Sequence, residues 1–179
     1  MLDDNILSKA QSGFSITGPP VKEAVIDAAL PYLFPGKSDV VQFYLRVNGG
    51  SRTRQGGTLY GTIPAHEVTR DHLDKIRTEG FYSICQNAEE KVPGFRSMLK
   101  LRALFSRKSS PYPQLKAFVD THMPIAFDRC GNDFWIDLVT GRIDYMLLHS
   151  MQEGPIDIAS SFKDFVLRFW IDQLEPFVD

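Results

Sequence analysis

The spacing of apolar residues changes along this chain and sets out a succession of elements. Val21, Ala24, Val25, Ala28 and Ala29 recur at helical spacing behind Gly18-Pro19-Pro20. A proline suits a first helical turn, where its missing N–H would have had no partner. Pro31 and Pro35-Gly36 break that segment. A second helix is predicted from a cap at Ser38 or Asp39, with Val40, Val41, Tyr44, Leu45 and Val47 inward. It ends at Asn48-Gly49-Gly50, residue types that tolerate the left-handed conformation of a helix terminus. Residues 1–15 carry only scattered apolar positions, enough for a short helix or a loose tail. Ser51 to Gly57 reads as a glycine-rich loop, and Thr58 to Ile63 as a strand closed by Pro64.

From Ala65 to Glu90 the spacing is mostly helical, through Val68, Leu73, Ile76, Phe81, Ile84 and Cys85, with Gly80 as a dividing point. Phe95, Met98, Leu99, Arg102 and Phe105 then fit a basic amphipathic helix, and Ser109 to Pro113 a loop. Leu115 to Val119 and Pro124 to Phe127 read as short strands, with Asp128-Arg129-Cys130-Gly131-Asn132 as a turn. Phe134 to Leu138 and Ile143 to Leu148 read as two antiparallel strands around Gly141. Ser161 and Asp164 have the spacing of a capping box. They open a helix with Phe162, Phe165, Val166, Phe169, Trp170 and Leu174 on one core-facing stripe, ended by Pro176.

Alternation along the strand at 134–138 sends Phe134, Ile136 and Leu138 to the core and puts Trp135 and Asp137 on the opposite face. Two readings of Trp135 follow. Either it stands exposed beside acids, the composition of a binding hot spot, or N-terminal or C-terminal helices cover it.

Composition narrows the class. With 179 residues, 43% apolar and 23% charged, the chain has the size and content of one ordinary folded domain rather than a disordered segment. No apolar run reaches the ~18 residues of a membrane-spanning helix. The start, Met1-Leu2-Asp3-Asp4-Asn5, lacks the basic and apolar regions of a secretion signal. A cytoplasmic protein is therefore expected, with Cys85 and Cys130 as thiols.

The net charge of −2 conceals segregation. Residues 1–90 hold nine Lys/Arg against eleven Asp/Glu; residues 91–119 hold seven bases and no acid; residues 120–179 hold four bases against eleven acids. These balances are −2, +7 and −7. Either the opposite faces neutralise each other in the fold, or one of them is aimed at a partner, whose approach clustered charge would steer. A pI near 6.1, with no recognition motif beside the bases, argues against direct nucleic-acid binding.

Three features in this order resemble the SUKH superfamily, which includes fungal cell-wall assembly regulators, the bacterial Syd protein and many bacterial immunity proteins. They are the proline-broken helix pair running into Asn48-Gly49-Gly50, the segment from Met123 to Leu138 with Gly141 at the next turn, and the final helix opening Ser161-Phe162-Lys163-Asp164-Phe165-Val166. The fungal-regulator-like branch is the closer match. The resemblance covers 19–63 and 122–178, leaving 64–121 as an insertion or divergent central segment of a single domain spanning 1–179. It implies an α+β fold: a curved, mainly antiparallel sheet flanked by N-terminal helices and a C-terminal helix. It also implies a non-catalytic protein-binding role, foremost that of a bacterial immunity protein occluding the active surface of a toxin such as a nuclease. Fungal members offer the alternative of a regulatory or scaffold protein with an intracellular partner.

No catalytic constellation stands beside this. Gly36-Lys37-Ser38 lacks the earlier glycine of a phosphate loop, and Gly56 to Gly61 lacks dinucleotide-binding spacing. His66, His72, His122 and His149 are scattered, without the i, i+4 pairing of a helical metal site. A metal held by Asp128, Cys130, Asp133 and His122, and catalysis by paired Asp137 and Asp144, are weaker alternatives to turn-bonded and solvent-facing aspartates. No catalytic residue, cofactor or metal is therefore expected, and the residues expected to meet a protein partner are Asp128, Asn132, Asp133, Trp135, Asp137, Asp144 and Tyr145.

Overall fold

The computed structural model describes residues 1–16, 18–52, 78–84, 97–109, 111–128, 131–147 and 154–171. The strand expected at Thr58–Ile63, the helical reading of 65–77 and 85–90, the histidines at 66, 72 and 149, and both cysteines lie outside them.

Among the described residues, six helices and seven strands follow in the order α1 (Asp4–Gly13), β1 (Phe14–Ile16), α2 (Glu23–Ala29), α3 (Lys37–Arg46), β2 (Gly50–Arg52), β3 (Thr78–Phe81), α4 (Met98–Ser109), α5 (Pro113–Thr121), β4 (His122–Asp128), β5 (Asp133–Asp137), β6 (Ile143–Met146), β7 (Ile156–Ala159) and α6 (Phe162–Ile171). The strands form one sheet whose spatial order equals their chain order, with every neighbouring pair antiparallel. This is the α+β class expected. Among the described residues, no helix is long and apolar enough to cross a membrane.

The two faces of the sheet are covered by different helices. Phe134, Ile136, Ile143, Tyr145 and Met123 share one face, as their cross-strand partnerships require. There Phe43 of α3 meets Phe81 of β3 at 4.6 Å between ring centroids and Phe162 of α6 at 5.4 Å, while Phe134 meets Phe165 at 5.1 Å. On the other face Trp135 is fully buried, with Phe105 of α4 at 5.2 Å and Phe118 of α5 at 5.4 Å, both edge-on. The face of Trp135 is thus closed by the central helices, not by the N-terminal or C-terminal ones.

Several expectations are corrected. Leu115–Val119 lies within helix α5, not a strand: Pro113 begins the helix, and Leu115, Phe118 and Val119, buried at i, i+3, i+4 spacing, form its inner stripe. Thr78–Phe81, read as helical, is a strand paired with both β2 and β4, so part of the 64–121 segment lies in the sheet interior. The cap expected at Ser38 or Asp39 is not observed: α3 starts at Lys37 behind Gly36 with no side-chain cap bond, and Leu45, expected inward, is exposed. Pro19 and Pro20 precede α2 rather than entering its first turn, and Ser51 and Arg52, read as loop, lie in β2. The start of the last helix is as expected. Asp164 N–H donates to Ser161 Oγ at 3.1 Å, and the Asp164 carboxylate accepts from Ser160 N–H at 3.2 Å, capping α6.

Asn48 does more than end a helix. Its Nδ2 donates to the carbonyls of Pro19 (2.7 Å) and Ile84 (2.9 Å), and its Oδ1 accepts from Ile84 N–H (2.7 Å). One buried amide thereby ties the approach to α2, the end of α3 and the segment beyond β3 together. Gly49, at φ 75°, lies so close to this junction that a Cβ would fall 2.6 Å from Ser83 N.

Candidate functional site

Of the seven residues expected at a partner surface, Asp128, Asn132, Asp133 and Tyr145 gather towards the β4–β5 turn, Asp137 lies at the β5–β6 turn, and Trp135 and Asp144 are cross-strand partners between them. At the β4–β5 turn, Tyr145 Oη donates to Asp128 Oδ2 at 2.6 Å, and Asn132 Nδ2 donates to the same oxygen at 2.9 Å. Asn132 N–H donates to Asp128 Oδ1 at 2.8 Å, so the aspartate side chain braces the turn from its first strand to its second. Asp133 instead accepts from Tyr82 Oη at 2.5 Å. Asp128, Asn132, Asp133 and Tyr145 are all buried. They act on anything outside through the hairpin end that they hold.

The electrostatics follow from this burial. Desolvation pushes the Asp133 carboxyl up to about 7; the Tyr82 hydrogen bond opposes that rise and the Asp128 carboxylate adds to it. Burial, reinforced by the charge and hydrogen bond of Asp133, drives the Tyr82 phenol far above its ordinary range. The donors on each of these two buried carboxylates offset the cost of removing them from water.

Away from that turn, Asp137 and Asp144 are half-buried. Asp137 shapes the β5–β6 turn: its Oδ1 accepts from Val139 N–H at 2.8 Å and its Oδ2 from Thr140 Oγ1 at 2.6 Å. Partial burial pushes its pKa up, but the Thr140 and Val139 bonds and the facing His122 outweigh it, and the net direction is down. Asp144 Oδ2 meets His122 Nε2 at 3.0 Å, while His122 Nδ1 lies 2.8 Å from the Phe118 carbonyl and its ring stacks on Phe118 at 3.9 Å. His122 is the first residue of β4 and Asp128 the last, roughly 20 Å apart along a seven-residue strand. These two therefore cannot share a metal ion. Among the described residues no group of His, Cys, Asp and Glu is arranged to hold one.

The described acids of the carboxyl-terminal third are held by partners within the fold. Every described carboxylate of residues 120–179 is engaged. Asp120 pairs with Lys116 at 2.5 Å and Asp157 with Arg142. Asp128, Asp133, Asp137, Asp144 and Asp164 take the bonds given above. Seven of the eleven acids of this stretch are accounted for in this way.

Sequence reasoning passed over an apolar projection beside Asp137. A Cβ on Gly141 (φ 75°) would fall 2.1 Å from the Pro35 carbonyl oxygen, so the β5–β6 turn and the α2–α3 loop lie backbone against backbone. Leu33 (92% exposed) and Tyr32 project from one, Val139 (66% exposed) from the other. Phe34 is buried and roots the loop. Exposed apolar side chains on two loops packed together in this way suit a protein contact if they form one patch. Prolines flanking an isolated Tyr-Leu pair were the available signal.

The model of the SMI1 / KNR4 family (SUKH-1) matches residues 25–168. No curated protein and no solved structure matches the chain.

Proposed function

Because the chain belongs to the SMI1 / KNR4 family (SUKH-1), we propose that it is a non-catalytic, cytoplasmic protein-binding module of the immunity type, neutralising a toxin by covering its active surface. The family assignment carries this reading. The geometry supports it in one respect: the buried carboxylates are bonded within the fold, and the nearby exposed surface is apolar and rooted, which suits docking.

In this reading the roles of the seven residues divide. Asp137 and Asp144 are direct contacts, with Tyr32, Leu33 and Val139 beside them. Asp128, Asn132, Asp133 and Tyr145 hold the β4–β5 end in the shape that the partner meets, and Trp135 seats α4 and α5 beneath it. The chain acts as one domain, and the 64–121 segment is divergent rather than appended; the interior position of β3 supports this.

The experiment is affinity capture from native lysate with the full chain as bait, followed by co-expression with what is captured. A large secreted toxin, or its C-terminal domain, is expected, along with rescue of cells expressing it. Leu33→Asp and Val139→Asp should weaken that capture. Recovery of housekeeping proteins alone, or no rescue, overturns the antidote reading.

A further inference from the structure

Helix α4 has two incompatible-looking faces. Met98, Leu101, Phe105 and Ser109 are buried, the first three among the apolar core, with Phe105 against Trp135. The opposite arc carries Leu99 (38% exposed), Ala103, Leu104 (37% exposed), Lys100, Arg107 and Lys108. At about 100° per residue, Arg107 and Lys100 fall between the two leucines, with Lys108 beyond Leu104. The helix contains no acid.

Local physics accounts for only part of this. Arg107 and Lys108 sit in the last turn, where the helix dipole favours cations. Arg102 is structural: its Nε and Nη2 donate to the carbonyls of Val119 (3.1 Å) and Asp120 (2.8 Å) at the end of α5. Lys100, however, stands in the first turn, where the dipole disfavours a cation and a carboxylate would be preferred. Among the described residues, Lys100, Arg107 and Lys108 meet no carboxylate. Departures from a local rule are expected chiefly at functional sites, and among the described residues Lys100 has no partner that offsets this one.

We propose that the outer face of α4 docks an acidic, leucine-bearing segment of a protein partner, whose carboxylates meet Lys100, Arg107 and Lys108 while its apolar side chains lie against Leu99 and Leu104. Charge complementarity selects this occupant. A phosphate backbone would use the three cations and leave both leucines without apolar contact, and the chain as a whole carries −2. A membrane surface takes up a helix by a broad apolar face, and that face of α4 is turned inward against Trp135. An acidic amphipathic helix answers both features at once. This surface is separate from the apolar loops at Leu33 and Val139 and does not depend on the antidote reading.

The test uses the full chain and a fluorescein-labelled acidic helical peptide with leucines at i, i+4 spacing and glutamates elsewhere on the same face. Binding followed by anisotropy should weaken at least about tenfold for Lys100→Glu/Arg107→Glu/Lys108→Glu, and by less for the corresponding glutamines. It should also weaken as salt rises from about 50 to about 300 mM. Leu99→Ala/Leu104→Ala should weaken it at constant charge, with circular dichroism confirming that each variant is folded. Phosphatidylserine vesicles and a single-stranded oligonucleotide serve as the competing probes. No binding of the peptide, binding indifferent to the charge reversal, or retention only by vesicles or oligonucleotide overturns the proposal.

Discussion

Replacing Asp133 by asparagine should change the way stability depends on pH. In the native protein the carboxyl loses its proton near pH 7 rather than at the ordinary 3.8. Below about pH 4 the folded and unfolded carboxyls both carry the proton. Between about 4 and about 7 only the folded one does, so the unfolded state binds fewer protons and stability falls as pH rises. Above about 7 both are charged and this contribution to the slope vanishes. A displacement from 3.8 to about 7, at about 1.4 kcal/mol for each pH unit, makes this loss about 4 kcal/mol. Asparagine keeps the shape, and its Oδ1 can still accept from Tyr82 Oη, but it has no proton to lose. Urea unfolding of both proteins at intervals from about pH 4.5 to about pH 7.5 gives two stability curves. The difference between them isolates Asp133 from the other titrating groups. The native chain should lose stability relative to Asp133→Asn across that window, most steeply on the acid side of pH 7. Parallel curves, or a native chain that gains on the variant as pH rises, refute the argument that burial governs this carboxyl.

Other consequences can be checked on the same footing. Trp135→Ala empties the space between the sheet and the rings of Phe105 and Phe118 and should cost about 3–5 kcal/mol in denaturant unfolding. Gly141→Ala combines a left-handed backbone with a Cβ driven into the Pro35 carbonyl, so a loss of at least about 2 kcal/mol is expected, measured by thermal melting. Asn48→Ala strands the backbone of Ile84, and the exchange rate of the Ile84 amide proton should rise together with a stability loss of about 2 kcal/mol. The net downward direction at Asp137 predicts stability present above the ordinary carboxylate range and lost on acidification. Asp137→Asn should therefore flatten the acid limb of the unfolding curve.

Elements formed by neighbours in sequence were legible, and those formed by distant ones were not. The strands at Phe134 and Ile143 alternate cleanly around a glycine turn, and Ser161 with Asp164 spells a helix start; each signal lies within a few residues. Strand β3 shows no alternation of its own, since Gly80 interrupts it. Its identity comes from partners at Gly50 and Ala126, far along the chain in both directions. Helix α5 was mistaken because three apolar residues within five positions satisfy either period. The same limit governs the site. Turn chemistry for Asp128 and Asn132 could be read locally, whereas Tyr82 reaches Asp133 across 51 positions and His122 reaches Asp144 across 22. The surplus of acid was visible, but the partners that hold its described carboxylates were not. Charge counted along a chain says nothing about which carboxylates a fold turns inward.

The sheet in which each strand lies beside its predecessor also has a kinetic meaning. Strands β4, β5 and β6 are joined by connections of a few residues, while β2 waits for β3 across 53–77 and β3 for β4 across 82–121. Closing a short loop costs less entropy than closing a long one, and local pairings form first. The meander from His122 to Met146 should therefore assemble early, and amides there should be the first protected in pulsed hydrogen exchange during refolding; simultaneous protection of β2 and β3 would contradict this. Asp128, Asn132 and Tyr145 all lie within that early unit, whereas Tyr82 arrives with β3. Until it does, Asp133 has no phenol to bond, so the end of the hairpin takes its final form only when the slowest strand has joined.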